Sequence, residues 1–194
     1  MAYVLFISEN KLKDSTAIGG NVDMEFMLPY IKVAQKKYIE TKLGTDLFEA
    51  LQTKITAGNL TGAYQTLVDD YIQDALVHFA FYECLPFLRF KVSNGNIYSK
   101  TSETGTALST EEAQHLREEI RNTAEFYTQR LIDYIKNNTS SYPEYSTSSG
   151  ADITPDSDAY YSGINLEFDR QRQRGLTLDD FLTPDLHIWE SITR

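Results

Sequence analysis

Residues 63–88 read AYQTLVDDYIQDALVHFAFYECLPFL, and the fold class follows from the spacing of their apolar side chains. Tyr64, Leu67, Val68, Tyr71, Ile72, Ala75, Leu76 and Phe79 recur at three- and four-residue intervals, which places them on one face of an α-helix. Asp69, Asp70 and Asp74 fall opposite that stripe, as a solvated face rather than a carboxylate metal site. From Val77 to Leu88 the stripe widens until the helix is apolar nearly all round, the mark of a segment buried at the centre of a domain or against a partner subunit. Pro86 is expected to kink or end the helix, because it lacks an N–H and its ring crowds the preceding turn. Cys84, the single cysteine, reads as a small buried hydrophobe. One cysteine cannot form an intrachain bridge, so a secreted disulfide scaffold is excluded.

Upstream, Asn21 is a candidate cap for a helix with Asp23 and Glu25 in its first turn, where negative charge suits the helix dipole. Met27, Leu28, Ile31, Ala34, Tyr38, Ile39 and Leu43 carry its apolar periodicity. Pro29 either kinks this helix or marks its start. Lys32, Lys36, Lys37 and Lys42 decorate it, as a solvated face or a partner-binding patch. Gly44 is a natural stop, and Thr45 a candidate cap for a short second helix carrying Leu47, Phe48, Leu51 and Ile55. Downstream of Leu88 the period changes to two around Asn94-Gly95, with Phe90, Val92, Ile97 and Tyr98 alternating, the sequence signal of a β-hairpin. Ser109-Thr110-Glu111-Glu112 is a capping box. It opens a last helix with Ala113, Leu116, Ile120, Ala124, Tyr127, Leu131, Tyr134 and Ile135 on one face. The expected core joins Ile31, Leu67, Ile72, Leu76, Phe79, Leu116, Ile120 and Leu131.

The fold class is therefore mainly α: a four-helix body with one small β-hairpin over residues 1–138, followed by a long extended C-terminal arm over 139–194. The net charge of −10 divides into −4 on the body and −6 on the arm. Such a chain does not hold nucleic acid by neutralising phosphates, which needs clustered Lys and Arg. No run approaches the ~18 apolar residues of a membrane span. Met1–Ile7 is too short, and lacks the basic flank, for a signal peptide; it reads as a short extended segment. His78, His115 and His187 are not paired at metal spacing, and Gly19-Gly20 lacks the Lys-Ser/Thr of a phosphate loop. No serine sits in a nucleophile elbow. Catalytic, metal and cofactor sites are accordingly assigned to no residue. The 13 tyrosines, apolar along the ring and polar at the tip, favour a binding surface.

The arm opens with a Ser/Thr/Tyr/Pro run, Thr139 to Ser162, that reads as a linker. Its distal part is different. Ile164, Leu166 and Phe168 alternate with polar residues as a strand able to add to a neighbour's sheet edge. Arg170, Arg172 and Arg174 are placed to pair with acidic groups on that partner. Leu182, Leu186 and Trp189 follow as apolar anchors. The other reading is an arm folded back on its own body.

The order of elements resembles the head–tail connector proteins of tailed bacteriophages, also called adaptor or head-completion proteins, in the versions from phages of Bacteroidetes hosts, including the crAss-like group. The segments that carry the likeness are Phe6-Ile7-Ser8, Tyr30-Ile31, Gln35-Lys36-Lys37-Tyr38-Ile39, Glu83-Cys84-Leu85-Pro86-Phe87-Leu88, Val92-Ser93-Asn94-Gly95-Asn96-Ile97, Leu131-Ile132-Asp133-Tyr134-Ile135 and Tyr142-Pro143-Glu144-Tyr145. They span roughly residues 1–145. The resemblance implies a non-enzymatic virion protein at the head–tail interface, assembled in the host cytoplasm. It implies a homo-oligomeric ring, dodecameric by analogy, between the portal and the next tail component, with DNA passing through without specific binding. The alternative is a cellular helical interaction module with an acidic tail.

Overall fold

The computed structural model describes residues 3–18, 22, 25–93, 96–99, 109–147, 149–150 and 152–158. A short helix α1 (Glu9–Asp14) comes first; Ser8 caps it by accepting the Lys11 N–H. Nothing in its apolar spacing announces it: Leu12 alone of its residues is buried. Helix α2 (Leu28–Ala34) carries Pro29 in its first turn, where the missing N–H costs nothing. The candidate cap Asn21 lies outside the described residues. A π-helical turn, Gln35–Glu40, carries α2 into α3 (Thr41–Thr56). Gly44, at φ 75° and ψ 160°, breaks α3 internally, in a region of backbone space open essentially to glycine alone.

Helix α4 (Ala63–Leu67), a second π turn (Val68–Ile72) and α5 (Gln73–Arg89) form the stretch whose periodicity led the reading. Pro86 lies within α5, which runs on to Arg89. The helix does not end at the proline, because a proline so near the C-terminus forfeits one hydrogen bond and little helix follows it. Strands β1 (Phe90–Ser93) and β2 (Asn96–Ser99) pair antiparallel, Val92 opposite Ile97. Residues 94–95 between them lie outside the described set. Helix α6 (Thr110–Asn137) opens on the capping box: Glu112 N–H donates to Ser109 Oγ, and Ser109 N–H to the Glu112 carboxylate.

Helix α5 is the central element, with α6 and α2 packed against it. Ile31, Leu43, Leu47, Leu67, Ile72, Leu76, Leu131 and Ile135 are fully buried there, each side chain contributing about 1.5–3 kcal/mol. Leu116 departs from the expected core: it is 41% exposed. At 100° per residue it lies about 80° to the side of the buried line through Ala124.

The described N-terminal residues, Tyr3 to Ile7, have no regular secondary structure and bend at Phe6 and Ile7, and glutamine amides from the first π turn, α3 and α5 hold them. Gln35 donates to Val4 O (2.9 Å) and accepts the Phe6 N–H (2.9 Å). Gln52 accepts the Val4 N–H (3.1 Å) and donates to the same Val4 carbonyl (2.8 Å). Gln73 donates to Phe6 O (3.0 Å). Gln35 and Gln52 are themselves buried. The amides supply the backbone partners that a neighbouring strand would otherwise provide.

The expected body boundary at residue 138 falls too early. The described residues through Asp158 form one compact unit with the body, and residues 159–194 lie outside the described residues. Beyond Asn138 a 3₁₀ turn (Thr139–Ser141) leads to α7 (Pro143–Ser146), which packs on α3. Tyr142, fully buried, donates its hydroxyl to Ala63 O at 2.8 Å. The stretch looked like a linker because its anchors are a tyrosine and backbone groups, which leave no apolar period.

Candidate interaction surfaces

Residues 149–150 and 152–158 form a strap across the break in α3. Thr45 N–H donates to Ile153 O (3.0 Å), and the Thr45 hydroxyl, the expected helix cap, accepts the Ile153 N–H (3.0 Å). Asp156 N–H donates to Thr41 O (3.0 Å). Pro155 lies so close over Gly44 that a Cβ there would stand 2.7 Å from its ring. Lys42 bridges to the Asp156 carboxylate (2.6 Å) and to the Asp158 carbonyl. Asp46 accepts from the Ser149 N–H (2.6 Å) and hydroxyl. These bonds hold both carboxyls below the usual aspartate range: Asp46 through the Ser149 hydroxyl and N–H, Asp156 through Lys42 and the Asp158 N–H.

A groove of about 450 Å³ lies where α3 and its π turn face α5 and α6, lined by Lys37, Tyr38, Lys42, Tyr82, Arg121 and Glu125 among others. Its charges are answered within the fold. Glu83 accepts from Lys37 Nζ (2.8 Å) and the Tyr38 hydroxyl (2.6 Å); burial opposes its ionisation, but these bonds win and hold its carboxyl low. Burial, and then the bond to Glu83, push the Tyr38 hydroxyl up to about 12. Arg121 pairs with Glu125 at 2.7 Å. Such a groove is an internally neutralised seam more than an empty receptor for an anion.

The large exposed apolar side chains fall chiefly on two faces. On the first, Val33 is 47% exposed on α2, and the Tyr30 ring meets Phe26 in a tilted contact (centroids 5.3 Å apart) and stacks on Phe87 (5.0 Å). Lys32 and Lys36, both exposed, flank Val33 and lie over the Tyr3 ring. On the second, α6, Leu116 and Phe126 are exposed about 80° around the helix from each other, with exposed Glu112 and Glu119 on the Leu116 side and exposed Arg130 one turn beyond Phe126.

His78 is half-buried and stacks on Tyr127, and burial lowers its pKa; it behaves as a core-edge aromatic. Burial pushes the Cys84 thiol up to about 12, which leaves it unreactive at neutral pH. Asp69 and Asp70 are exposed and Asp74 half-buried. Among the described residues no three His, Cys, Asp or Glu side chains gather at metal-binding distance, and no helix is long and apolar enough to cross a membrane. The arm residues Ile164, Leu166, Phe168, Arg170, Arg172, Arg174, Leu182, Leu186 and Trp189 all lie outside the described residues. Sequence reading missed the strap, the glutamine amides and the face around Phe26 and Phe87. The exposed lysines of α2 were the one signal for that face.

The described residues form a mainly helical domain whose break in α3 is covered by a strap. The chain belongs to a family of unknown function (DUF6712), whose model matches residues 39–155. That match runs from the first π turn to Pro155, so the strap lies within the shared domain up to Pro155, and Asp156 and Asp158 lie beyond it. No curated protein and no solved structure matches the chain.

Proposed function

We propose that this is a structural virion protein of a tailed bacteriophage, a head–tail connector that forms a ring between the portal and the next tail component and extends the DNA channel. The observation that carries the reading is the pairing of two exposed apolar faces on one helical body, which suits a subunit with neighbours on two sides. The order of elements over residues 1–145 and the acidic balance support it as well, since acidic walls let duplex DNA slide rather than adhere. In this reading the hairpin and the arm beyond the strap dock on the portal or the adjacent ring. Ile164, Leu166 and Phe168 add a strand, and Arg170, Arg172 and Arg174 pair with acidic groups. Leu182, Leu186 and Trp189 are the anchors.

Mass in solution, measured alone and with a candidate portal, tests the reading. A ring, or a complex with the portal, is the expected result. A monomer or dimer indifferent to the portal would favour a cellular helical interaction module. Tight, salt-sensitive binding of duplex DNA by the isolated protein would also count against a passive channel.

A further inference from the structure

The groove between α3 with its π turn and α5 with α6 lies where the strap gives out. Lys42 lines the groove and donates to the Asp158 carbonyl. Lys136, about two turns beyond Thr128 on α6, donates to Ser157 O at 3.4 Å. The strap is thus held from both sides as it reaches the Thr128 end of the groove. The next residues in the chain are Ala159-Tyr160-Tyr161.

The chemistry of the groove suits uncharged aromatic company. Its charges are closed into pairs, Lys37 with Glu83, Lys42 with Asp156 and Arg121 with Glu125. Ring surfaces remain open. Tyr38 and Phe79 are stacked with centroids 3.9 Å apart, and Tyr82 meets Tyr38 edge-on at 6.5 Å. Tyr38 and Tyr82 are only half-buried. At the far end the Arg117 guanidinium lies 4.1 Å from the Tyr82 ring, and its buried Nε has no hydrogen-bond partner among the described residues. A buried donor without an acceptor is costly, so this one calls for an oxygen from elsewhere.

The chain that follows the strap answers each requirement. Residues 159–166 carry no charge and open with two tyrosines. From Thr128 to Arg121 the groove runs about 10 Å along α6, which is the span of about three extended residues. We propose that Ala159-Tyr160-Tyr161 of the same chain lies in this groove and prolongs the strap, with a tyrosine ring against Tyr38 and Tyr82 and a tyrosine hydroxyl accepting from Arg117 Nε. The contact is made within one chain, so it is independent of ring assembly. Its consequence is that the length of arm free to reach a partner is counted from Ser162.

Two full-length double variants test it. In Tyr160→Ala/Tyr161→Ala, hydrogen exchange over 152–158 should quicken about tenfold, the weight of one lost aromatic pairing, while residues 3–7 exchange as in the wild type. In Thr41→Cys/Tyr160→Cys, with Thr41 on the groove wall, mild oxidation should join the two thiols within one chain. The product would run as a monomer on a non-reducing gel with both thiols consumed, and buried Cys84 stays out of the reaction. A disulfide between two chains would overturn the proposal in favour of the same segment from a second copy. No disulfide, or exchange at the wild-type rate in the alanine pair, would overturn it outright and leave the groove to another molecule.

Discussion

Tyr3–Phe6 and residues 149–158 are both irregular stretches laid across helices, and they differ in who supplies their partners. The N-terminal segment is gripped by side-chain amides from three helices, with Phe6 and Ile7 buried beneath it. The strap is bound by backbone groups exposed where α3 breaks, and by Lys42 and Asp46 in contact with solvent. The first grip is uncharged and internal. The second is partly ionic and external. Two stretches of similar look should therefore respond to different perturbations, and local unfolding should reach the strap first.

The largest expected effect is at Gln35. Gln35→Ala strips the buried Phe6 N–H of its partner and one of the two donors from Val4 O, and should cost about 1–3 kcal/mol in denaturant unfolding. An unchanged midpoint would show that the amide grip is incidental to the fold. Next, Gly44→Ala forces a Cβ into Pro155 at a backbone conformation disfavoured for every other residue, a strain of about 1–3 kcal/mol. The strap can lift to relieve the contact, so hydrogen exchange should accelerate over 149–158 and hardly at all over 3–7. Equal acceleration of both segments would mean that they form one cooperative unit.

Acid should separate the two segments without any mutation. Asp46 and Asp156 titrate below their unfolded values, so the stability they lend is present above the ordinary aspartate range and is lost as pH falls through their folded values. Strap protection should fade below about pH 4, whereas the glutamine amides have no proton to gain there. Exchange rates followed from neutral pH into acid would show whether the N-terminal segment outlasts the strap. The smallest effect is Lys42→Ala, which removes the bridge to Asp156 and should cost at most about 1 kcal/mol because the pair is partly in water. A larger drop in melting temperature would make the strap a structural member and not a surface binding.

The helical body was legible because burial imposes a period on the sequence. Leu67, Ile72 and Leu76 follow it and are fully buried, and Ser109 with Glu112 spells a cap that the structure makes. Legibility ended where partners are far apart in sequence. Gln35, Gln52 and Gln73 look like any polar helix residues; what makes them structural is a backbone 29 to 67 residues away. The strap defeated composition in the same way, since Thr45, Asp46 and Ser149 act through hydrogen bonds that have no apolar signature. Leu116 lies about 80° off the buried line through Ala124, because offsets of about 40° at each four-residue step add up along a long helix. Of the candidate surfaces, the lysines of α2 could be read in advance, but the contact between Tyr30 and Phe87 depends on packing between helices.

The glutamine grip also orders events in time. Val4 leaves the ribosome well before Gln73, whose amide helps to hold the N-terminal segment, a separation of 67 residues between Phe6 and Gln73. Until α5 has emerged, the apolar side chains of that early segment have no finished surface to settle on. Contacts this distant in sequence form late and slow the search. The strap closes last, onto a body already complete, so a chain interrupted before residue 149 would have its core but an open break at Gly44.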